Sequence, residues 1–113
     1  MKIIEGNLID IDNREFYPCA ISISDGKIVA IERNSNSYDQ YISPGLIDAH
    51  VHVESSMLMP TEFSQLVIPN GTVGVVADPH EIANVLGIEG VELMIDNIGV
   101  SPAECWVVNL EDG

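Results

Sequence analysis

The sequence predicts an α/β protein, with a small β module over residues 1–43 followed by alternating strands and helices over 44–113. Three observations point there. Short β-type runs separated by turn residues fill the first third of the chain. After Ser43-Pro44-Gly45, strand-like and helix-like stretches come in the order strand, helix, strand, helix, strand, the order of a parallel α/β fold. One of those strands carries histidines and carboxylates at every second position.

In the β module, Ala20-Ile21-Ser22-Ile23-Ser24 alternates, Asp25-Gly26 supplies a two-residue hairpin turn, and Ile28-Val29-Ala30-Ile31 returns. Gly6-Asn7 and Asp12-Asn13 read as earlier turns, and Asn34-Ser35-Asn36-Ser37 as a loose polar link before Tyr41-Ile42. Leu46 to Glu54 then reads as a strand. Pro60 to Ile68 reads as a helix, with Pro60 in its first turn and Pro69 and Asn70-Gly71 ending it. Thr72 to Ala77 is nearly all apolar, as a strand covered on both faces should be. A helical stretch from about Glu81 to Ile98 is broken near Gly87. Its expected apolar face is Ile88, Val91, Ile95 and Ile98, and Gly99 stands at the capping position. Cys105 to Leu110 is the third strand, with Trp106 packed inside it.

Composition narrows the function classes. At 113 residues and 46% apolar content the chain suits one modest folded domain. Its net charge of −14, from 18 acidic and 4 basic side chains, repels phosphate backbones and anionic lipid, which argues against nucleic-acid and membrane partners. Cys19 and Cys105 stand alone without CxxC spacing, which suits a reducing cytosol better than a disulfide or a metal pair. The start lacks the apolar run of a signal peptide, and no window approaches a membrane span, so a cytoplasmic location is expected. No Gly-rich phosphate loop occurs, and Thr61 and Ser64 have no base beside them in sequence. Met57, Leu58 and Met59 read as loop or core packing.

The chemistry concentrates in Leu46-Ile47-Asp48-Ala49-His50-Val51-His52-Val53-Glu54. On a strand, Asp48, His50, His52 and Glu54 share one face, and Ile47, Ala49, Val51 and Val53 the other. On a helix, His50 and His52 would sit about 200° apart and could not meet on one ion. In a parallel barrel the outer side packs on helices and is apolar, while the inner side turns polar near the C-terminal strand ends. Two imidazoles about 6 to 7 Å apart at Cα can converge on one cation, ligating at about 2.0–2.1 Å. His50 and His52 are therefore the expected metal ligands, against the plainer reading of solvent-facing edge histidines.

A second cluster, Asp78-Pro79-His80-Glu81, falls where the next strand ends and its helix begins, on the same rim. Together with Glu54, it forms the expected border of the site. Pro79 ends strand pairing because it has no N–H. His80 could bind metal, contact substrate or shuttle a proton. In the plainer reading Asp78 caps the helix and His80 only fills space.

The run from Ser43 to His52 resembles the signature of the amidohydrolase superfamily, in which a small β-sandwich precedes a (β/α)8 barrel and the first barrel strand gives His-x-His to a metal centre. Glu54-Ser55-Ser56-Met57-Leu58, Pro60-Thr61-Glu62-Phe63 and the run from Val76 to Gly87 are similar to the adenine deaminase branch. The likeness spans roughly residues 1 to 98. It implies that 1–43 is part of the β-sandwich and that 44–113 holds the first β/α units of an incomplete barrel, about three strands and two helices. It further implies hydrolytic deamination of adenine to hypoxanthine and ammonia, with Mn2+ or Fe2+ as the metal and Zn2+ as the alternative. The zinc deaminases built on Pro-Cys-x-x-Cys are a separate case, since that cysteine pair is absent from this sequence.

Such a barrel takes about 250 residues. The chain holds only three histidines, His50, His52 and His80, so the resemblance places further ligands and the general base beyond residue 113. A lone opening segment would expose strand edges and apolar helix faces, and self-association is expected. The competing readings are another amidohydrolase, dihydroorotase-like or deacetylase-like, and a non-catalytic fragment that binds metal or self-associates.

Overall fold

A computed structural model describes residues 1–101 in full and residues 104–107 by their backbone. The chain divides into two compact units, Met1–Pro44 and Gly45–Gly113.

The first unit is a four-stranded sheet of β1 (Lys2–Asp10), β2 (Glu15–Ser24), β3 (Lys27–Arg33) and β4 (Tyr41–Ile42), in the order β3-β2-β1-β4. β1, β2 and β3 pair antiparallel, and β4 lies parallel to β1. The β2–β3 turn is the expected Asp25-Gly26, with φ of 51° and 73°. Positive φ at both central residues gives a turn whose twist matches the strands it joins. At the β1–β2 turn, Asp10 accepts from the Asn13 backbone N–H (3.0 Å) and side-chain amide (2.9 Å), which accounts for the Asp12-Asn13 signal. Cys19 and Ile21, two apart on β2, are buried, and Cys19 is a free thiol.

Gly6-Asn7, expected as a turn, instead lies in the middle of β1. Both residues serve close approach there. A Cβ on Gly6 would sit 3.0 Å from Ile42 Cγ1 and 3.2 Å from the Gln40 carbonyl oxygen. Asn7 Nδ2 donates to the Tyr38 carbonyl at 2.7 Å and so ties down the chain ahead of β4. Glycine in a strand interior often marks such a contact between backbones.

The second unit is mixed α/β. Its three strands, β5 (Leu46–Val51), β6 (Thr72–Ala77) and β7 (Glu104–Val107), run parallel in the order β5-β6-β7. α1 (Pro60–Val67) connects β5 to β6; α2 (His80–Leu86) and α3 (Ile88–Ile98) connect β6 to β7. Residues 108–110 of the expected third strand and the side chains of Cys105 and Trp106 lie outside the described residues. No helix among the described residues is long and apolar enough to cross a membrane.

Among the described residues, β5, β6, α1, α2 and α3 all contribute to a small core. Val53, Ala77 and Met94 are buried together, with Val51, Phe63 and Ile82 packed against them. The helical stretch breaks at Gly87, whose φ of 63° and ψ of −151° suit glycine alone. The inward face of α3 differs from the expected one: Gly90, Val91 and Met94 are buried, while Ile88 and Ile95 are exposed. Gly90 sets this rotation, because a Cβ there would meet Ile82 Cγ1 at 2.9 Å, so the helices meet on its bare side. Gly99 follows α3 in right-handed geometry (φ −57°) and makes no left-handed cap.

β5 ends at Val51, three residues before the expected Glu54, and Val53–Ser56 form a 3₁₀ turn. Burial of Val53 drives the change, since continued extension would carry it past the core formed with Ala77 and Met94. Met57 closes the turn in left-handed geometry (φ 62°) with its side chain exposed. The apolar face of β5 is covered only at this end, and Ile47 and Ala49 stay exposed.

Gly45 opens β5 against β6: a Cβ there would lie 2.4 Å from Val73 Cγ2 and 2.5 Å from Cγ1. Gly45→Ala is expected to destabilise the unit by about 1–3 kcal/mol, as overpacking does. Adding Val73→Ala should recover part of that loss in thermal denaturation. Equal melting for Gly45→Ala and the parent would contradict the close packing.

Candidate metal centre

The site forms where β5 and β6 end side by side. Parallel pairing sets Val51 opposite Ala77, and the Asp78 N–H extends the ladder to the Val51 carbonyl at 3.0 Å. His50 is the penultimate residue of β5, and His52 follows the strand in extended geometry (φ −102°, ψ 93°). Extended backbone preserves the alternation of side chains, so both imidazoles fall on one side with their Nε2 atoms 3.3 Å apart.

That spacing suits a shared cation. Two ligands at about 2.0–2.1 Å from an ion and at a tetrahedral angle lie about 3.3–3.4 Å apart. The tautomer suits it as well. His52 Nδ1 lies 2.7 Å from the Asp78 carbonyl oxygen, which can only accept, so Nδ1 carries the proton and donates. In the neutral ring His52 Nε2 is then left as a lone pair, the arrangement that outer-shell carbonyls impose on metal-binding histidines. Two donor groups converge here, His50 with His52 and Asp78, and His52 with His80 and Glu81. Within each group the ligand atoms lie within 4.8 Å of one another.

Asp78 and His80 form an ion pair at the edge of this cluster. Asp78 Oδ2 accepts from His80 Nδ1 at 2.9 Å and Oδ1 from the His80 backbone N–H at 3.2 Å. The hydrogen bond from His80 holds the Asp78 carboxyl below its ordinary value, and the hydrogen bond to Asp78 raises the His80 imidazole above its own. The His80 ring also packs edge-on against His52, with centroids 4.6 Å apart.

His50, His52, Asp78, His80 and Glu81 therefore come together. Glu54 does not join them in the same way. The 3₁₀ turn takes it off the strand face, and Glu54 Oε1 accepts from the Glu81 and Ile82 backbone N–H groups, both at 3.2 Å. Asp48 turns back on its own strand and accepts from the His50 N–H at 3.1 Å. Two contributors were not anticipated. Ser55 Oγ donates to the Glu81 carboxylate, and the Asp78 backbone carbonyl orients His52. No side-chain pattern could signal the second, because it is a main-chain group.

Residues 41–105 match the amidohydrolase family model. The chain belongs to the amidohydrolase family. Among curated relatives, this amidohydrolase chain is 53% identical over 94 residues to an adenine deaminase of Borreliella burgdorferi, covering 83% of the chain and 17% of the relative. It is 52% identical over 99 residues to an adenine deaminase of Sulfurovum sp. (strain NBC37-1), covering 88% and 19%. An adenine deaminase of Methanothermobacter thermautotrophicus is 43% identical over 104 residues, covering 92% and 19%. The chain thus spans under a fifth of the length of these relatives. The family and the donor groups together suit a divalent metal.

The Asp78–His80 pair makes the metal-free chain sensitive to pH. The raised His80 value means that its contribution is full below the ordinary histidine pKa and fades as pH rises through the raised value. The lowered Asp78 value means that its contribution fades as pH falls through that value. In a proton NMR titration of the metal-free chain, His80 is expected to titrate above 6.5. Asp78→Asn should bring it down towards that value, and an unmoved His80 titration would remove Asp78 as the cause.

Proposed function

We propose that this chain carries the first metal ligands of an adenine deaminase, a longer enzyme that hydrolyses adenine to hypoxanthine and ammonia. The observation that supports this most is the His50–His52 pair, with Nε2 atoms 3.3 Å apart and the His52 tautomer held by Asp78. The likeness of residues 43–87 to the adenine deaminase branch, and relatives bearing that name, supply the substrate.

In this reading 1–43 belongs to a β-sandwich and 44–113 opens a (β/α)8 barrel, whose active sites lie at the C-terminal strand ends. The ends of β5 and β6 then face the barrel mouth. His50 and His52 hold the metal, manganese or iron, with Asp78 on the same rim. A bound divalent metal acidifies water towards a pKa of 7 and so makes hydroxide available at neutral pH. His80, whose charged form is favoured by the hydrogen bond to Asp78, presents its Nε2 at the rim. That atom has no hydrogen-bond partner among the described residues, so it can serve the amine leaving C6 of the purine. The general base and the remaining ligands are assigned to the longer enzyme, beyond residue 113. Purine salvage in the cytoplasm is the setting this reading assigns. Exposed apolar side chains such as Ile47, Val85 and Ile88 fit association with further protein, whether more of the same chain or a second copy.

The direct test is ammonia release from adenine by the longest natural form of the chain, with Mn2+ or Fe2+ supplied. Release that stops on chelation is expected, and none with either metal rejects the reading. Replacing His50 and His52 together by alanine should weaken Mn2+ binding by more than about 100-fold, beyond the 10- to 100-fold typical of an outer-shell partner. Equal titration of parent and double variant would show that the ion binds only the general acidic surface.

A further inference from the structure

We propose that Glu54 is a positioning residue of this centre: it brackets the Asp78–Glu81 corner against the histidine pair and so holds the carbonyl that orients His52. The inference rests on the metal-centre reading above.

The bracket is a closed ring of bonds. The chain runs from His52 through Val53 to Glu54. Glu54 Oε1 then takes the Glu81 and Ile82 N–H groups, both at 3.2 Å. From the start of α2 the chain returns through Pro79, which is fully buried, to Asp78. The Asp78 carbonyl closes the ring by accepting the His52 Nδ1 proton at 2.7 Å. Each link limits the freedom of the next. Val53 is anchored in the core, and the proline fixes its own φ.

The two amides that Glu54 engages lie in the first turn of a helix, where backbone N–H groups lack partners within the helix and a carboxylate is favoured. Ser55, the next residue, fastens the same corner by donating to the Glu81 carboxylate. Glu54 belongs to neither group of converging metal donors. Its second oxygen, Oε2, is buried without a hydrogen-bond partner among the described residues. A carboxylate turned inward in this way is committed to its bracket and is not offered to the ion.

The consequence concerns the metal. If the corner loosens, the Asp78 carbonyl no longer keeps the proton on His52 Nδ1, and the Nε2 lone pair faces the ion for less of the time. What matters for that is the reach of the side chain, more than its charge.

Three variants of the longest natural chain separate reach from charge. Glu54→Gln keeps the length and an accepting oxygen, Glu54→Asp keeps the charge but falls one methylene short, and Glu54→Ala loses both. Mn2+ affinity is read by chelator competition, with adenine kinetics beside it. Glu54→Ala and Glu54→Asp are expected to weaken Mn2+ binding about 10- to 100-fold, as loss of an outer-shell partner does, with Glu54→Gln within about threefold of the parent. Glu54→Asp carries the comparison if Glu54→Ala does not fold. Parental affinity in Glu54→Asp overturns the proposal, as does a Glu54→Gln variant as weak as Glu54→Asp, which would assign the effect to charge. A raised KM for adenine with unchanged Mn2+ affinity would also overturn it, in favour of substrate contact. Because the Mn2+ measurement needs no turnover, absence of adenine deamination would reject the proposed function and leave this series readable.

Discussion

The ends of β5 and β6 are joined by a reciprocal pair of bonds, and the candidate centre depends on them. The Asp78 N–H reaches back to the Val51 carbonyl at 3.0 Å, and the Asp78 carbonyl receives the His52 Nδ1 proton at 2.7 Å. The residue that follows β6 thus extends the ladder to β5 and orients the histidine that follows β5. Parallel pairing makes this geometry available, because both chains leave the sheet in the same direction and their polar ends lie side by side.

Directly beneath that polar edge lies the apolar anchor. Val53, Ala77 and Met94, with Val51, Phe63 and Ile82 against them, draw residues from strands, turn and helices into one cluster. The anchor decides how the chain behaves after His52. Burying Val53 removes apolar surface from water, and that gain wins over continued extension. The polar stripe accordingly stops at His52, and Glu54 is delivered to the start of α2. Interior packing thereby separates two groups that simple alternation would treat alike.

The centre is also electrostatically uneven. His50 is exposed, whereas His52 is half-buried and tied through Nδ1. His80 is paired with Asp78 and tends towards the charged form. Three histidines in a chain of net charge −14 therefore divide into a donor whose ring is oriented through Nδ1, a second donor in open solvent, and a ring paired with a carboxylate. Neighbours, more than residue type, assign these behaviours.

The sequence by itself determined the periodicities and the stops. Thr72–Ala77 is a strand as expected, Asp25-Gly26 turns the hairpin, Gly87 interrupts the helix, and His50 and His52 share a side because strand geometry leaves them no other choice. These are local properties, set by sterics within a few residues. Tertiary structure decided what depends on distant partners. It kept Gly6-Asn7 in a strand because Ile42 and Tyr38 press against it. It turned α3 so that Met94 faces inward and Ile88 and Ile95 face out, because Gly90 meets Ile82. It ended β5 at Val51, and it chose a backbone carbonyl to orient His52. Hydrophobic pattern reports that a residue prefers burial, but which neighbour covers it is settled only when the elements pack.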